Sequence, residues 1–398
     1  MALIRILVVP SSDYLGHPFP QRHNQIFERL QDHHDFEVHV VRFALFKNAR
    51  LTSRLRIHEL SGSPKLGIGA YYLTNMNRHS SEIGRIVRDE EIDLVVLSNL
   101  AAPFAYDLAN VLFGRQIPTI MDLPDYYPTS ATGYIFDTLA LPGRVLATTF
   151  NMMLRFMIRR SSAVTVASAG LYEYAKVQGA RQVILVPNGI SERFLTTHDG
   201  RAIRERLGFA PDDFIVGYIG SLDFWLDIRT LLAGIRLTKK KYPKTRCLLV
   251  GKGLHSQAYS DKVASWIKEE ELQNDVVRLD FVPYEQVPEY IASLDVGTIP
   301  FDVRNPTAYY AAPNKMWEYL SQMKAVISAA IPEALRNADS VSIAYGAQDY
   351  MRYFLRIMSG DEHILLKKKR GYEKALGYTW RRSADSFAEA CRQIVRES

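Results

Sequence analysis

The stretch "DVGTIPFDVRNPTAYYAAPNKMWEYLSQMKAVISAA", residues 295–330, decides the fold. "DVGTIPF" and "KAVISAA" are short apolar runs of strand length, and the segment between them carries a helical pattern. Two such runs joined by a helix are the signature of neighbouring parallel strands covered on both faces. The corner raises a chemical question, because Asn314, Lys315 and Glu318 crowd the start of the helix. If Asn314 caps the helix, Trp317 takes the place where a capping-box Glu is expected, and Glu318 lies one residue too deep. Met316, Leu320 and Met323 then form the core stripe, leaving Lys315, Glu318 and Gln322 on another face. Capping accounts for Asn314 and leaves Glu318 for a ligand.

The same alternation runs outward in both directions. "FIVGYIGS", "TRCLLVGKG", "VVRLDFV" and "VSIAYG" read as further strands of the second half. In the first half "IRILVVPSS", "FEVHVVRF", "DLVVLSN", "PTIMDL", "AVTVAS" and "QVILVPNG" do the same, with "RHNQIFERL" and "NRHSSEIGRIVRDEEI" as amphipathic helices. The expected fold is α/β, with two doubly wound Rossmann-like domains facing a central cleft. The polar seam after "VPNGI" divides the chain into 1–195 and 196–376. The segment 377–398, "GYTWRRSADSFAEACRQIVRES", reads as a helix packing back toward the first domain.

Composition narrows the class. At 398 residues the chain exceeds one ordinary core, and 47% hydrophobic with 23% charged residues describes a folded globular protein. Cys247 and Cys391 are too few and too far apart for a disulfide framework or a cysteine metal site. The opening "MALIRILVVPSSD" reads as a first strand and not as a signal peptide, so a cytoplasmic setting is expected. A net charge of +6 is modest, and no nucleic-acid partner is expected. Its distribution is uneven: no acidic residue falls between Asp137 and Glu173. Within that interval Arg144, Thr148, Asn151, Arg155 and Arg159 form one stripe at helical spacing, with apolar residues around the rest. This is either an interfacial membrane helix or a core helix whose Arg residues face solvent or phosphate.

Ligands of open α/β sheets bind outside the carboxyl ends of the strands. In the second half, Gly220 and Ser221 form a small-residue turn before a helix, and Gly251 and Gly253 flank Lys252. Both turns permit close backbone approach to a phosphate or a planar group. No P-loop pattern occurs.

At this point the ordered set "VPNGI", "VGYIGSLDFWLD", "LLVGKG", "FVPYEQVPEYIASLDVGTIPF", "PNKMWEYLSQMKAVIS" and "YTWRRSADSF" resembles glycosyltransferase family 4. The resemblance implies a GT-B enzyme that moves a sugar from a nucleotide donor to an acceptor hydroxyl with retention. It implies that Glu318 binds the donor ribose, and that Asn314, Lys315 and the helix start meet the diphosphate or sugar. Val282, in the loop that matches the family's base-side segment, offers backbone contacts. The family's first Glu falls at position 310, where this chain has Tyr310. Where relatives carry an Arg and a Lys for the diphosphate, this chain has Asp223 and Asp227. Lys252, Arg304 and Lys315 are the remaining cations on strand-end loops. Such cations and helix starts stabilise a leaving diphosphate without a bound metal, so no metal cofactor is expected.

In the first half the loop after the first strand carries Gly16 and His17, with Arg22 in the first turn of the following helix. Relatives often place paired glycines there, so Gly16, His17 and Arg22 are read as acceptor- or phosphate-side residues. "TIMDLPDYYPTS" sets Asp122 and Asp125 around a Leu-Pro at a strand end, followed by Tyr126, a further acceptor- or phosphate-side residue. Asp122 or Asp125 is the expected catalytic carboxylate, orienting the acceptor hydroxyl or taking up its proton. Arg144, Arg155 and Arg159 are the membrane-facing residues if the acceptor is lipid-linked and the protein works peripherally at the inner face of the cytoplasmic membrane. Two other readings share the donor pocket: a sugar-nucleotide epimerase or hydrolase, and a non-catalytic nucleotide-sugar-binding subunit.

Overall fold

The computed structural model describes residues 3–397 apart from 18, 44, 47, 63–67, 99, 116, 134–140 and 254–256. The chain forms two compact units. Unit 1 comprises Met1–Asn188 with Trp380–Ser398, and unit 2 comprises Gly189–Thr379. The division therefore falls seven residues before the expected seam, and the last helix is part of unit 1.

Unit 1 has, among the described residues, a seven-stranded sheet. Its strands are β1 (Ile4–Val9), β2 (Phe36–Phe43), β3 (Arg56–Leu60), β4 (Leu94–Leu97), β5 (Thr119–Leu123), β6 (Ala163–Val166) and β7 (Val183–Leu185). The order is β3-β2-β1-β4-β5-β6-β7 and every pairing is parallel. β1, β4, β5 and β6 are apolar almost throughout because helices cover both faces. The helix Trp380–Glu397 closes one side: Trp380, Ala384, Phe387, Cys391 and Ile394 share a core with Ile26, Phe27 and Leu30 of the helix Arg22–Leu30. Phe27 and Phe387 meet edge to face at 5.0 Å, and Arg392 grips Asp35 with two hydrogen bonds of 2.7 and 3.0 Å. β3 has no counterpart in the sequence reading. "RIHEL" mixes charge with two aliphatic residues, and as an edge strand it stays partly exposed, so no apolar run marks it.

Unit 2 repeats the plan with β8 (Phe214–Ile219), β9 (Thr245–Val250), β10 (Val276–Leu279), β11 (Val296–Ile299), β12 (Ala325–Ala329) and β13 (Ser342–Ala344). Their order is β10-β9-β8-β11-β12-β13, again all parallel. Strand order reverses between β1 and β4 in unit 1 and between β8 and β11 in unit 2. These two switch points are where doubly wound sheets open a crevice for ligands.

Candidate functional site

At the unit 2 switch point the helix Asn314–Ser321 is pinned over β8 and β11 by Tyr319. Its hydroxyl accepts a hydrogen bond from the Ile219 amide at 2.9 Å, and its ring fills the space a side chain at Gly297 would need. That placement brings the Lys315 side chain onto Gly220, the residue that follows β8. A β-carbon at Gly220 would overlap Lys315 Cε and Nζ. Gly220 has φ +148°, a conformation that also favours glycine, and Gly251 at φ +127° packs against its carbonyl. The loops after β8 and β9 are tied by Gly220 N–H to Val250 O at 2.8 Å and Leu222 N–H to Lys252 O at 3.1 Å. Lys315 Nζ sits 5.5 Å from the Tyr218 ring centroid, and the Tyr218 hydroxyl donates to Ser221 O at 2.9 Å.

Glu318 lies one turn deeper and is partly exposed. Burial pushes its carboxyl up, and Lys315 opposes the shift. The expected cap is corrected: Pro313 is the N-cap, Asn314 is the first helical residue, and Asn314 Oδ1 is a buried acceptor with no hydrogen bond. The core stripe is corrected as well. Met323 is 42% exposed at φ +52°, while Gln322 is buried and donates to Phe194 O and Thr196 O at 3.0 and 2.9 Å.

The other expected residues of this half surround the corner less tightly. Asp227 caps the helix Ile228–Lys239 through the Thr230 amide, and Asp223 is fully buried, so neither substitutes for a diphosphate-binding cation. Lys252 pairs with Asp280 at 3.1 Å and Arg304, 82% exposed, with Asp302 at 2.9 Å. Gly253 and Val282 are half-buried on adjacent loops. Tyr310 caps the short helix Pro306–Tyr309 and meets Tyr309 edge to face at 5.1 Å.

In unit 1 the loops after β1 and β5 are organised by two buried carboxylates. Asp13, which the sequence reading passed over, accepts from the Leu15, Gly16 and Phe46 amides and from Arg42 Nε at 3.1 to 3.2 Å. A β-carbon at Gly16 would overlap Asp13 and Phe46, which explains the glycine. His17 Nε2 lies 2.8 Å from Ser12 Oγ, and burial lowers its basicity.

Asp122 is fully enclosed. Arg22 donates to both its oxygens at 3.2 and 3.1 Å, Thr165 Oγ1 donates at 2.8 Å, and His23 Nε2 lies at 3.4 Å. Burial alone would raise this carboxyl, yet Arg22 and His23 outweigh it and hold it far below the carboxylate range. Such a group neither takes up a proton nor reaches an acceptor, so its expected catalytic role is corrected to a positioning one. Arg22, 7% exposed, spends its remaining nitrogen on Asn188 Oδ1 at 2.8 Å and is likewise no solvent-facing phosphate ligand. Asp125 is exposed at the end of β5, beside Tyr126, whose ring meets Tyr174 at 5.2 Å.

Residues 199–334 match the family model for glycosyl transferases group 1, and residues 21–189 match that for the glycosyl transferase 4-like domain. The chain belongs to glycosyltransferase family 4. It has the GT-B fold, as solved structures show. A sucrose-phosphate synthase from Thermosynechococcus elongatus is 15% identical with a TM-score of 0.78, over 99% of this chain and 100% of that one. HepE of Anabaena, in complex with UDP-glucose, is 16% identical with a TM-score of 0.72, over 98% and 100%. An E. coli protein bound with UDP-2-fluoro glucose is 10% identical with a TM-score of 0.70, over 98% and 99%. No curated protein matches the chain in sequence.

In this glycosyltransferase the basic helix is Leu141–Arg160. Phe150, Leu154, Met157 and Ile158 are buried, while Arg144, Arg155 and Arg159 are exposed. Asn151, on the expected Arg stripe, instead accepts from the Tyr174 hydroxyl at 2.7 Å. The helix is therefore a packed layer of unit 1 with one open flank. Met152, Arg155, Phe156, Arg159 and Arg160 line an open groove of about 440 Å³ there. The helix Ala101–Leu112 adjoins it through Phe104 and Phe156, 5.4 Å apart, and exposes Leu112 and Phe113, each at 71%. Among the described residues no helix is long and apolar enough to cross a membrane.

Proposed function

We propose that this glycosyltransferase transfers a hexosyl group from a nucleoside-diphosphate sugar to an acceptor hydroxyl with retention at the anomeric carbon. The observation that carries the reading is the packing of Lys315 on Gly220 at the unit 2 switch point, with Glu318 one turn deeper. Lys315, the Gly220–Ser221 backbone and the helix start take the diphosphate, and Glu318 takes the ribose hydroxyls. Asn314 Oδ1, buried without a partner, and Tyr310 face the sugar, while Val282 offers backbone to the base. Lys252 and Arg304 hold exposed ion pairs that exchange at little cost and add to the positive field. Similar structures hold UDP or UDP-glucose, which makes uridine donors the first to test.

As the bond from the anomeric carbon to the diphosphate breaks, charge collects on the leaving oxygen, and fixed cations lower that barrier. The acceptor oxygen bonds on the same face and passes its proton to the departing phosphate, with Asp125 orienting the hydroxyl. No divalent metal is needed at the donor, so omitting Mg²⁺ and Mn²⁺ leaves turnover unchanged.

Calorimetry with a panel of nucleotide sugars tests the donor. Wild type binds one class of donor, and Lys315→Ala and Glu318→Ala weaken it at least tenfold. Equal binding by both variants refutes the assignment. Release of free sugar without any acceptor dependence favours a hydrolase, and tight binding without turnover favours a binding subunit.

The acceptor is proposed to be lipid-linked, with the protein working peripherally at the inner face of the cytoplasmic membrane. Support comes from the groove lined by Arg155, Arg159 and Arg160 and from Leu112 and Phe113, exposed at the end of the helix that adjoins it. Wild type floats with vesicles containing phosphatidylglycerol, while Arg155→Ala/Arg159→Ala and Leu112→Ser/Phe113→Ser stay unbound. Equal flotation of all three removes this part of the reading.

A further inference from the structure

Three residues meet at the β3 edge of unit 1. His39 comes from β2, His58 from β3, and Glu90 caps the end of the helix Met76–Asp89. His39 Nδ1 lies 3.0 Å from His58 Nε2 and 3.9 Å from Glu90 Oε2. Among the described residues this is the one group of three His, Cys, Asp or Glu side chains with donor atoms all within 4.8 Å. The geometry points to a transition-metal site, with His39 Nδ1, His58 Nε2 and a Glu90 carboxylate oxygen as ligands for an ion of the Zn²⁺ class.

Four observations support it. Two imidazole nitrogens bound to one zinc at about 2.0–2.1 Å in a tetrahedron stand roughly 3.3 Å apart, close to the spacing seen here. His39 is completely buried, and its other ring nitrogen makes no hydrogen bond, with Glu37 Oε1 3.5 Å away. A metal-bound His characteristically directs that second nitrogen at a carboxylate, and Glu37 stands two residues before His39 on the same strand face. Finally, two imidazoles and one carboxylate leave a fourth position for water, a donor set that suits zinc, cobalt or nickel and not magnesium or calcium.

Arg56 is the competing cation. Its guanidinium lies 3.0 Å from Glu90 Oε2 and 3.2 Å from Glu37 Oε1, but its side chain is 60% exposed and free to turn outward. The metal would tie the end of the helix Met76–Asp89 to β2 and β3, which already pair as neighbouring strands. Its role is structural, because β2 and β3 present these ligands in mid-strand and not at the carboxyl ends where the sheet binds substrates.

The test uses the full chain, stripped with a chelator and returned to Zn²⁺ or Co²⁺ alone. Wild type takes up one equivalent, melts higher with Zn²⁺, and with Co²⁺ shows the visible absorption of a low-coordinate site. His58→Gln and Glu90→Gln lose the absorption and the melting shift, and Glu37→Gln weakens binding about 10- to 100-fold. Arg56→Gln binds more tightly than wild type. A wild-type chain that acquires no Co²⁺ absorption overturns the proposal, whatever the variants do. So does uptake by His58→Gln equal to that of wild type, which would place the metal elsewhere.

Discussion

The amine of Lys315 fills the space that a β-carbon on Gly220 would take. A residue of the Asn314 helix thus shares one small space with the turn after β8, 95 positions earlier in sequence. Gly220→Ala expels the amine and strains a backbone at φ +148°. The substitution is expected to weaken donor binding at least tenfold and to lower the melting temperature. Lys315→Ala is expected to cut kcat/KM about 10²- to 10³-fold while leaving the melting temperature nearly unchanged. Initial rates and thermal melts of the two variants check the contrast.

Glu318 trades stability for binding. Burial raises its carboxyl, so the native state holds this proton more tightly than the unfolded chain does. The associated stability is complete below the ordinary glutamate range and is lost as pH rises through the raised value. Glu318→Gln is therefore expected to melt above wild type at neutral pH, with the gap closing in acid, while its affinity for the nucleotide falls. A pH series of thermal melts beside calorimetry reads both effects.

Asp122 and Asp125, three residues apart, are expected to fail differently. Asp122→Asn leaves Arg22 buried without its counter-ion and costs about 3–5 kcal/mol of stability. Because the Asp122 carboxyl is depressed, the pair's stabilisation is full above the ordinary aspartate range and is lost progressively as pH falls from that range through the depressed value. Asp125→Asn, at an exposed position, keeps the fold and lowers kcat. Denaturant titrations and turnover measurements on the two variants separate the roles.

Asp107, on the helix beneath the exposed Leu112, carries a carboxyl pushed up to about 6 by burial, with Arg160 opposing. Its oxygen Oδ2 has no hydrogen-bond partner. The sign is that of a raised acid: stability is present below the ordinary aspartate range and lost as pH climbs to about 6. Asp107→Asn is expected to gain on the order of 2–3 kcal/mol above pH 7 and nothing near pH 4. Stability curves at the two pH values decide it.

The sheets were legible because helices cover both faces, so strands such as "LVVL" and "FIVGYI" stand out as apolar runs. "RIHEL" escaped because an edge strand needs only one buried end, and with it went His58. The candidate corner drew notice through Lys315 and Glu318, whose types make little sense as caps or core. Its cap was misread by one residue, since Pro313 and Asn314 each suit a helix start. Asp122 and Arg22 lie 100 positions apart, and nothing local distinguishes a carboxylate destined for a buried ion pair from one left for chemistry. Asp13 was hidden in the same way: its partners are backbone amides, which have no signature in sequence.

The helix Trp380–Glu397 sets the order in which the chain can mature on the ribosome. Unit 2 is one continuous segment, complete once Thr379 has emerged. Unit 1 must wait, because Trp380, Phe387 and Ile394 belong to its core and are translated some 190 residues after its other half. Until then the nascent first half leaves the apolar faces of Ile26, Phe27 and Leu30 without the partner helix that covers them. A premature stop that removes only the final helix would spare the fold of unit 2 and abolish that of unit 1.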